Sequence, residues 1–386
     1  MVKAVGIDPG TMSMDVFGFD DESGKVIVDA SIPRDRITEN PAIMVNFLRK
    51  VQEEVGEIDA IVGPCGYGLP LKKASEVEDW EIRIATFVSQ EDVKRRLKII
   101  GLRELMSLMR KSEGLNIWFT PGVIHLPTVP RHRKANRIDL GTADKVYTAI
   151  IGIKDSAEYL NIPYSEVSAI IVEIGFAYTA AMAVEKGKIV DGVGGTIGWP
   201  GFLGMGFMDS ELAYALANAY PKFSKALLFK GGIADLAEVD PKKTSLEEFA
   251  KMAKVNSKVK EAYEAMIESV LKDIAILLVT VRKPREILLS GRFTRLKSFR
   301  EDLIGSIKDL LQDFGVKANV RTIRRRAKVA KEGAEGAAII ANGIAGGKYR
   351  GLVENLEVFD SSGTIFDHIT LGENVKREIM EFFMKQ

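Results

Sequence analysis

The sequence predicts an α/β protein of two domains, and three observations support this. The chain has 386 residues, more than one ordinary hydrophobic core holds and enough for two domains of roughly 150–200 residues. A pattern of three strands occurs near the amino terminus and again near the middle of the chain. After each repeat, short apolar runs alternate with segments of helical spacing, which is typical of α/β proteins.

Composition excludes several classes of protein. A hydrophobic content of 46% excludes a disordered chain, and Cys65, the single cysteine, cannot form a disulfide within the chain. The 54 basic residues are balanced by 53 acidic ones, so we expect no nucleic-acid partner. No apolar run approaches the ~20 residues that cross a bilayer, and the start of the chain leads directly into a strand. We therefore expect a soluble cytoplasmic protein without a membrane partner.

The two repeated segments, 3–32 and 168–198, share an order of features. Each begins with an apolar strand that ends in an acid, Asp8 or Glu173, followed by a glycine turn. A second strand, a polar Gly-Lys turn and a third strand follow, which is the pattern of a β-meander. We predict that both domains start with this meander. The alternative is that the two segments are unrelated and resemble each other only because any two β-meanders look alike in sequence.

The remaining elements follow from hydrophobic spacing. Strands are predicted over 58–62, 117–120, 123–126, 286–289 and 316–323. Helices are predicted over 41–55, 91–109, 143–160, 210–220, 245–253, 257–281, 298–314, 333–345 and 374–383. Because no long linker separates these segments, we expect the domains to pack closely.

The turn after the first strand is the first candidate for chemistry. Asp8 ends the strand, Gly10 permits a tight turn whose amides can face an anion, and Thr11 and Ser13 add hydroxyl donors. A carboxylate beside a bound phosphate requires a cation between them, so Asp8 implies Mg²⁺, held through water. The alternative is an ordinary β-turn that binds nothing.

The equivalent turn of the second repeat contains Glu173, Gly175 and Thr179. Two such hairpins, one in each domain, can hold a nucleotide from opposite sides of a cleft. The alternative is a buried strand with one bulge glycine. The bulky Phe176 and Tyr178 make this turn a poorer phosphate cradle than a loop with several glycines.

Two later segments add weaker candidates for nucleotide binding. Ser290, Gly291 and Arg292 follow a buried strand, where a glycine turn allows a flat ring such as adenosine to approach the backbone. Glu332 and Gly333 open a helix rich in small residues. The alternative for residues 290–292 is a common strand–turn–helix connection. The alternative for the helix that starts at Glu332 is close packing against other elements of the core.

Charged residues between the repeats are the candidates for catalysis and for the phosphoryl acceptor. Arg131, Arg133, Arg137 and Lys145 supply cations, which a carboxylate acceptor requires because two anions must meet. A hydroxyl acceptor requires a base instead, and Asp139 and Asp144 are the candidates. The alternative for residues 131–137 is a solvated basic loop without a catalytic role. The alternative for Asp144 and Lys145 is the exposed first turn of a helix, where the helix dipole favours an acid. We interpret Cys65 as a small apolar filler rather than a nucleophile.

The four turn and helix segments, in this order, resemble the superfamily of acetate and sugar kinases, actin and heat-shock chaperone ATPases. The resemblance covers most of residues 1–347. It implies two ribonuclease-H-like, or actin-like ATPase, domains with a ligand cleft between them. The predicted domains are 1–155, with an inserted substrate region, and 156–347. Residues 348–386 form an extension that we expect to pack on the first domain.

Further segments are similar to segments of butyrate kinases. They narrow the resemblance to an archaeal family that is distantly related to the butyrate kinases. Gly66, Tyr67 and Gly68 lie where these enzymes have a substrate loop, and residues 137–146 resemble the entry to their interdomain helix. Gly194 and Gly195 belong to a glycine-rich stretch, 191–206, that follows the second phosphate loop in acetate and butyrate kinases.

Two departures separate this chain from the acyl kinases. The second loop reads Glu-Ile-Gly where those kinases have His-Leu-Gly, and the arginine that follows their glycine-rich stretch has no counterpart near 208–209.

The resemblance implies an ATP- and Mg²⁺-dependent kinase, a phosphotransferase acting on a small metabolite, with a short-chain carboxylate as the first candidate. A nucleotide-dependent ATPase switch or partner-binding protein without kinase activity is the alternative. A structural subunit that binds no nucleotide is a third. The oligomeric state is left open, with a homodimer among the options.

Overall fold

A computed structural model describes residues 1–220 and 223–385 and divides the chain into two compact units. The first unit contains residues 1–167, 186–190 and 324–386, of which residue 386 lies outside the described part. The second unit contains residues 168–185 and 191–323. The segment 324–347, which the sequence analysis assigned to the second domain, therefore lies in the first unit.

Eleven strands are described along the chain. They are β1 Lys3–Pro9, β2 Ser13–Asp20, β3 Val26–Pro33, β4 Ala60–Val62, β5 Lys72–Lys73, β6 Ile117–Phe119, β7 Ala169–Ile174, β8 Thr179–Glu185, β9 Lys188–Val193, β10 Glu286–Ser290 and β11 Asn319–Thr322. The predicted strand at 123–126 is wrong, because Val123–His125 forms a buried 3₁₀ turn. A short apolar run has no periodicity that separates a strand from such a turn.

Fifteen α-helices are described along the chain. They are α1 Arg34–Glu39, α2 Ala42–Val55, α3 Asp79–Thr86, α4 Gln90–Lys94, α5 Lys98–Arg110, α6 Arg131–Lys134, α7 Ala143–Leu160, α8 Ser210–Ala219, α9 Ile233–Leu236, α10 Leu246–Met252, α11 Ser257–Leu278, α12 Lys297–Asp313, α13 Glu332–Ile344, α14 Arg350–Asn355 and α15 Glu373–Met384. The helix predicted over 91–109 is divided at Arg96, whose φ of 49° is left-handed. Among the described residues, no helix is both long and apolar enough to cross a membrane.

The two sheets share one strand order, which confirms the prediction that each half begins with the same meander. In the first sheet, β2 pairs antiparallel with β1 and β3, and β4 and β6 continue the sheet parallel to β1. In the second sheet, β8 lies between β7 and β9, and β10 and β11 continue it parallel to β7. Only the first sheet has a further edge strand, the short antiparallel β5.

Helix α13 packs closely against β1 on one side and α7 on the other, and glycines stand at the points of closest approach. A Cβ atom at Gly6 of β1 would lie 2.1 Å from the amide nitrogen of Ala338. A Cβ atom at Gly336 would lie 1.9 Å from the carbonyl oxygen of Tyr147 in α7. This contact explains why α13 belongs to the first unit, and it matches the packing alternative for the small residues of this helix.

The carboxyl-terminal extension lies in the first unit, where α15 packs on the region after α3. The ring of Phe383 lies 4.4 Å from the ring of Phe87, centroid to centroid, and Phe366 completes the cluster. The Arg83 guanidinium donates a hydrogen bond to the Met384 carbonyl oxygen at 2.8 Å. These contacts fix the end of the chain on the first unit.

The close contact between α13 and α7 predicts that a larger residue at Gly336 destabilises the protein. We expect Gly336→Ala to lower the free energy of unfolding by about 3 kcal/mol, because the added methyl group forces two packed backbones apart. The control is Gly305→Ala in α12, where nothing lies within 4 Å of the added atom. This control should be stabilised by about 0.5–1 kcal/mol through helix propensity. Urea denaturation of both variants checks the prediction, and equal stabilities would contradict it.

Candidate functional site

The end of β1 and the start of β2 place two carboxylates side by side in the first unit. Asp8 and Asp15 are directly opposite each other in the antiparallel pair, so both side chains lie on the same face of the sheet. Both residues are buried, with exposures of 3% and 1%. The Asp15 oxygens have no hydrogen-bond partner among the described residues. Like charges directly opposite each other are destabilising unless a cation compensates them.

Lys331 supplies that cation. Its Nζ lies 2.8 Å from Oδ2 of Asp8 and 3.7 Å from Oδ2 of Asp15. Two glycines make room for this arrangement. A Cβ at Gly10 would lie 2.3 Å from the Lys331 ammonium, and a Cβ at Gly333 would lie 2.6 Å from Oδ2 of Asp8.

The segment before α13 is fixed by two carboxylates, which sets the position of Lys331. Asp29 of β3 accepts hydrogen bonds from the backbone amides of residues 328, 329 and 330. Burial acts to raise the pKa of Asp29, but these three donors outweigh it and hold the pKa below its ordinary value. Glu335 accepts from the amides of Arg326 and Ala327. The predicted nucleotide ligand Glu332 is buried and lies 3.3 Å from the Nε of Arg325.

A second pair of opposite charges lies at the start of α7. Asp144 and Lys145 form an ion pair at 2.5 Å, and the Thr142 hydroxyl donates a hydrogen bond to Asp144. Burial acts to raise the pKa of Asp144, but Lys145, Thr142 and the charge of Lys331 hold it below its ordinary value. Asp144 is therefore ionised at neutral pH and is a poor proton acceptor. The charge of Lys331 also acts on Asp144, so we refer to the Asp8–Lys331 and Asp144–Lys145 ion pairs together as the charge group of the first unit.

Arg34 at the start of α1 adds a third cation. Burial lowers the pKa of its guanidinium to about 10, while the negative charges of Asp8 and Asp35 oppose that change. The side chain is 5% exposed, and its Nε and Nη1 atoms have no hydrogen-bond partner among the described residues. Its Nη2 donates to the Lys98 carbonyl oxygen at 3.0 Å.

The predicted substrate loop, which includes Tyr67, meets the start of α7. The Gly66 carbonyl oxygen accepts a hydrogen bond from the Ala143 amide at 3.0 Å. Gly66 and Gly68 have positive φ angles of 56° and 96°, and a Cβ at Gly68 would lie 2.0 Å from the amide of Gly122. Burial raises the pKa of the Cys65 thiol in this loop to about 12, which agrees with the interpretation of Cys65 as a filler.

The charged residues predicted over 131–139 differ in exposure and in their partners. Arg131 and Arg137 are exposed. Arg133 donates a hydrogen bond to the Val190 carbonyl oxygen at 2.7 Å, which is a structural contact. Asp139 is buried and accepts a hydrogen bond from the Gly141 amide at 3.2 Å. The roles predicted for these four residues stay predictions.

In the second unit, the predicted residues meet at the carboxyl ends of β7 and β10. Glu173 and Ser290 are partners in the parallel pair, and Gly291 has a φ of 95°. A Cβ at Gly291 would lie 2.4 Å from the Ile174 carbonyl oxygen, so the glycine permits close packing of two strands. Arg292 starts a 3₁₀ turn that precedes α12. The Thr179 hydroxyl is buried without a hydrogen-bond partner among the described residues.

The glycine-rich stretch surrounds the Tyr178 ring. A Cβ at Gly204 would lie 2.0 Å from that ring, and a Cβ at Gly195 would lie 2.5 Å from the Tyr178 Cβ. The Tyr178 hydroxyl donates to the Leu228 carbonyl oxygen at 2.6 Å. Gly175 donates its amide to the Tyr178 carbonyl oxygen at 2.9 Å. These contacts explain Gly195 and Gly204 by aromatic packing, and the phosphate role predicted for Gly175, Gly194 and Gly195 stays a prediction.

The sequence predicted Mg²⁺ held through water near Asp8, and that role stays a prediction; the residues at Asp8 do not favour a directly bound magnesium ion. Mg²⁺ requires oxygen ligands in an octahedral arrangement, but the Asp8 carboxylate already contacts the Lys331 ammonium. Across the described ranges, no group of three or more His, Cys, Asp or Glu side chains is placed to hold a metal. Lys331 and Lys145 are the cations of this site that a phosphate could contact, and each is already paired with a carboxylate.

The sequence analysis missed the residues that organise this site, namely Lys331, Asp15, Asp29 and Arg34. Asp15 carried a usable signal, because it lies on the same face of the predicted meander as Asp8. Lys331 carried none, since a lysine before a helix is common on protein surfaces.

A buried acid of α11 contacts the glycine-rich stretch. Its raised pKa predicts that the stability of the protein depends on pH. Asp273 is fully buried and accepts a hydrogen bond from the Trp199 amide at 3.1 Å. Burial raises the pKa of Asp273 to about 7, although that hydrogen bond opposes the change. The folded protein therefore holds a proton that the unfolded chain has released above about pH 4.

We expect the wild-type protein to lose stability relative to Asp273→Asn as the pH rises towards 7, because the unfolded wild-type chain releases the Asp273 proton that the folded protein still holds. Between about pH 5 and pH 8 the difference in unfolding free energy should change by about 3 kcal/mol. Thermal and urea unfolding at both pH values measure it. Asp309→Asn, an exposed acid of α12, is the control and should show no such change. Parallel pH profiles for wild type and Asp273→Asn would contradict the prediction.

Comparison with solved structures shows the fold. The crystal structure of acetate kinase from Porphyromonas gingivalis has a TM-score of 0.58 and 13% identity, covering 87% of this chain and 98% of that one. A propionate kinase from Francisella tularensis subsp. tularensis SCHU S4 has a TM-score of 0.59 and 15% identity, covering 86% and 99%. Acetate kinase from Entamoeba histolytica has a TM-score of 0.57 and 13% identity, covering 84% and 96%.

These similarities confirm the two-domain, actin-like ATPase fold that the sequence predicted, and they place kinases among its structural neighbours. No protein with a curated description matches the sequence. One sequence family, described as proteins of unknown function, matches residues 6–371. Because that match spans almost the whole chain, the protein belongs to the DUF1464 family.

Proposed function

We propose that this protein is an ATP-dependent phosphotransferase whose acceptor is a small metabolite, with a short-chain carboxylate such as acetate or butyrate as the first candidate. The observation that carries the proposal is the charge group of the first unit, in which Asp8 and Asp144 are paired with Lys331 and Lys145. Ionised groups around a phosphoryl site serve alignment and charge neutralisation, which is most of what this reaction requires.

The state of Asp144 favours a carboxylate acceptor over a hydroxyl. A general base works best when its pKa lies near the working pH, and the pKa of Asp144 lies below its ordinary value. A carboxylate acceptor has an ordinary pKa near 4 and needs no base. It does need cations, and Lys145 follows two residues after Ala143, whose amide donates to the Gly66 carbonyl oxygen of the predicted substrate loop.

The fold supports the use of a nucleotide, because the similar structures include acetate and propionate kinases. Contacts of adenosine with Ser290 and Gly291, and of phosphate with Glu173 and Thr179, stay predictions for the second unit. Magnesium is not carried into the proposal as a ligand of Asp8, because Lys331 already contacts that carboxylate. A cytoplasmic location, where ATP and short-chain acids meet, is part of the proposal.

A second candidate function is an ATPase switch without a metabolite acceptor. The packing of Tyr178 among the glycines of 191–206 favours it, because these glycines then serve packing rather than substrate binding. The two candidates differ in whether turnover depends on an acceptor.

A trapping experiment separates the candidates. The protein is incubated with ATP, with and without Mg²⁺, and a panel of short acids that includes acetate, propionate and butyrate, in the presence of hydroxylamine. We expect an acyl hydroxamate from at least one acid, because hydroxylamine captures an acyl phosphate. Slow ADP release that no acid accelerates would support the switch. The absence of both products, together with no ATP binding in calorimetry, would exclude both functions.

The acceptor class also predicts the behaviour of Asp144→Asn. With a carboxylate acceptor we expect kcat to fall by about tenfold or less, because no proton has to be removed from the acceptor. With a hydroxyl acceptor the loss should reach about 10²–10⁴-fold. The matched control is Asp360→Asn, an exposed acid of the same unit. Steady-state kinetics across pH measures both variants, and a loss of the larger size would overturn the choice of a carboxylate.

A further inference from the structure

The position beside Asp8, where the sequence predicted a metal, is occupied by a side chain of the chain itself. Lys331 lies within 2.8 Å of Asp8 and 3.7 Å of Asp15, and its own side chain is 14% exposed. The ammonium therefore lies between two buried carboxylates and still reaches the edge of the site. It occupies the place that a compensating cation would take.

The backbone around this ammonium is built to accommodate it. Gly10 has no side chain at the point where a Cβ would lie 2.3 Å from Nζ of Lys331. Asp29 and Glu335 bind five backbone amides in the segment before and at the start of α13, which holds the Lys331 backbone in place. Gly10 was interpreted from sequence as a cradle for an anion, and in the structure it also makes room for a lysine.

Carboxylates and cations of the first unit carry opposite charges at this site. Asp8, Asp15 and Asp144 carry three negative charges. Lys331, Lys145 and Arg34 carry three positive ones. The Lys331 ammonium takes the position at Asp8 and Asp15 where a divalent cation would otherwise compensate the two carboxylates. A phosphate group, by contrast, can draw on an ammonium that is already positioned.

We propose that Lys331 is the resident cation of this site: it neutralises Asp8 and Asp15 and binds the terminal phosphates of a nucleoside triphosphate, so that binding there does not depend on Mg²⁺ at Asp8. The part that concerns the nucleotide rests on the proposed function. The part that concerns the metal does not, because it can be measured without a nucleotide.

The first test uses the nucleotide-free protein and Mg²⁺ alone. Thermal unfolding of the wild type in millimolar MgCl₂ should match that in EDTA, because Lys331 already compensates the carboxylates. In Lys331→Met the two carboxylates lose their cation, and Mg²⁺ should raise the melting temperature by about 3 °C or more. Stabilisation of the wild type by Mg²⁺, with no further gain in Lys331→Met, would overturn the proposal.

The second test measures ATP binding by calorimetry in EDTA and in Mg²⁺. We expect wild-type affinities within about threefold of each other, and a loss of at least about 30-fold for Lys331→Met in EDTA. The matched control is Lys98→Met, because Lys98 lies 3.3 Å from the Thr11 carbonyl oxygen at the same turn and is 46% exposed. Its affinity should stay within about threefold of the wild type.

A second variant is needed in case Lys331→Met does not fold, and an absence of ATP binding must be told apart from a failure of the Lys331 proposal. If Lys331→Met does not fold, the double variant Lys331→Met with Asp15→Asn removes the uncompensated charge, and it should still lose ATP affinity in EDTA. Wild-type binding that requires Mg²⁺ and is unchanged in the lysine variants would exclude the role of Lys331. Absence of any ATP binding would instead exclude the proposed function, while the Mg²⁺ measurement on the nucleotide-free protein would still decide whether Lys331 is the resident cation.

Discussion

The direct contact of α13 with β1 and α7 is the constraint on which the first unit depends. Gly6 and Gly336 have no side chains at the two points where the backbones meet. Because the helix packs closely against the strand, the amino-terminal end of α13 reaches the carboxyl end of β1. Gly333 then lies against the Asp8 carboxylate, and Lys331 lies beside it. A larger residue at any of these glycines would separate the charges that form the site.

The charges at that contact are stable only as a group. Buried carboxylates are costly to desolvate, and removing one partner leaves an uncompensated charge in a region of low dielectric. Lys145 holds Asp144 in the ionised form, and Lys331 contacts the Asp8 carboxylate; this suits a site that neutralises anions more than one that accepts protons. The same pairing makes the site sensitive to substitution, because each cation also stabilises the fold around it.

The second unit shows how differently glycines can be used. The stretch 191–206 has the composition of a phosphate-binding loop, yet Gly195 and Gly204 make room for the Tyr178 ring. Asp273 completes this arrangement by accepting a hydrogen bond from the Trp199 amide. Composition alone therefore does not distinguish a loop that binds anions from one that packs around an aromatic side chain, because both uses require backbone without Cβ atoms.

Most of the fold was predictable from the amino-acid pattern. The alternation of apolar residues in β1 to β3 and β7 to β9, and the helical spacing of α7, α11 and α12, are local features, so the repeated meander and the α/β class follow from them. Errors arose where local pattern is ambiguous, as at Val123, or where one residue breaks a helix, as at Arg96. The partners of the charged residues were not predictable, because Lys331 and Asp8 are distant along the chain and meet only through the packing of α13 on β1. The pattern of residues thus specified the elements and the repeat, whereas the three-dimensional packing selected which cation compensates Asp8.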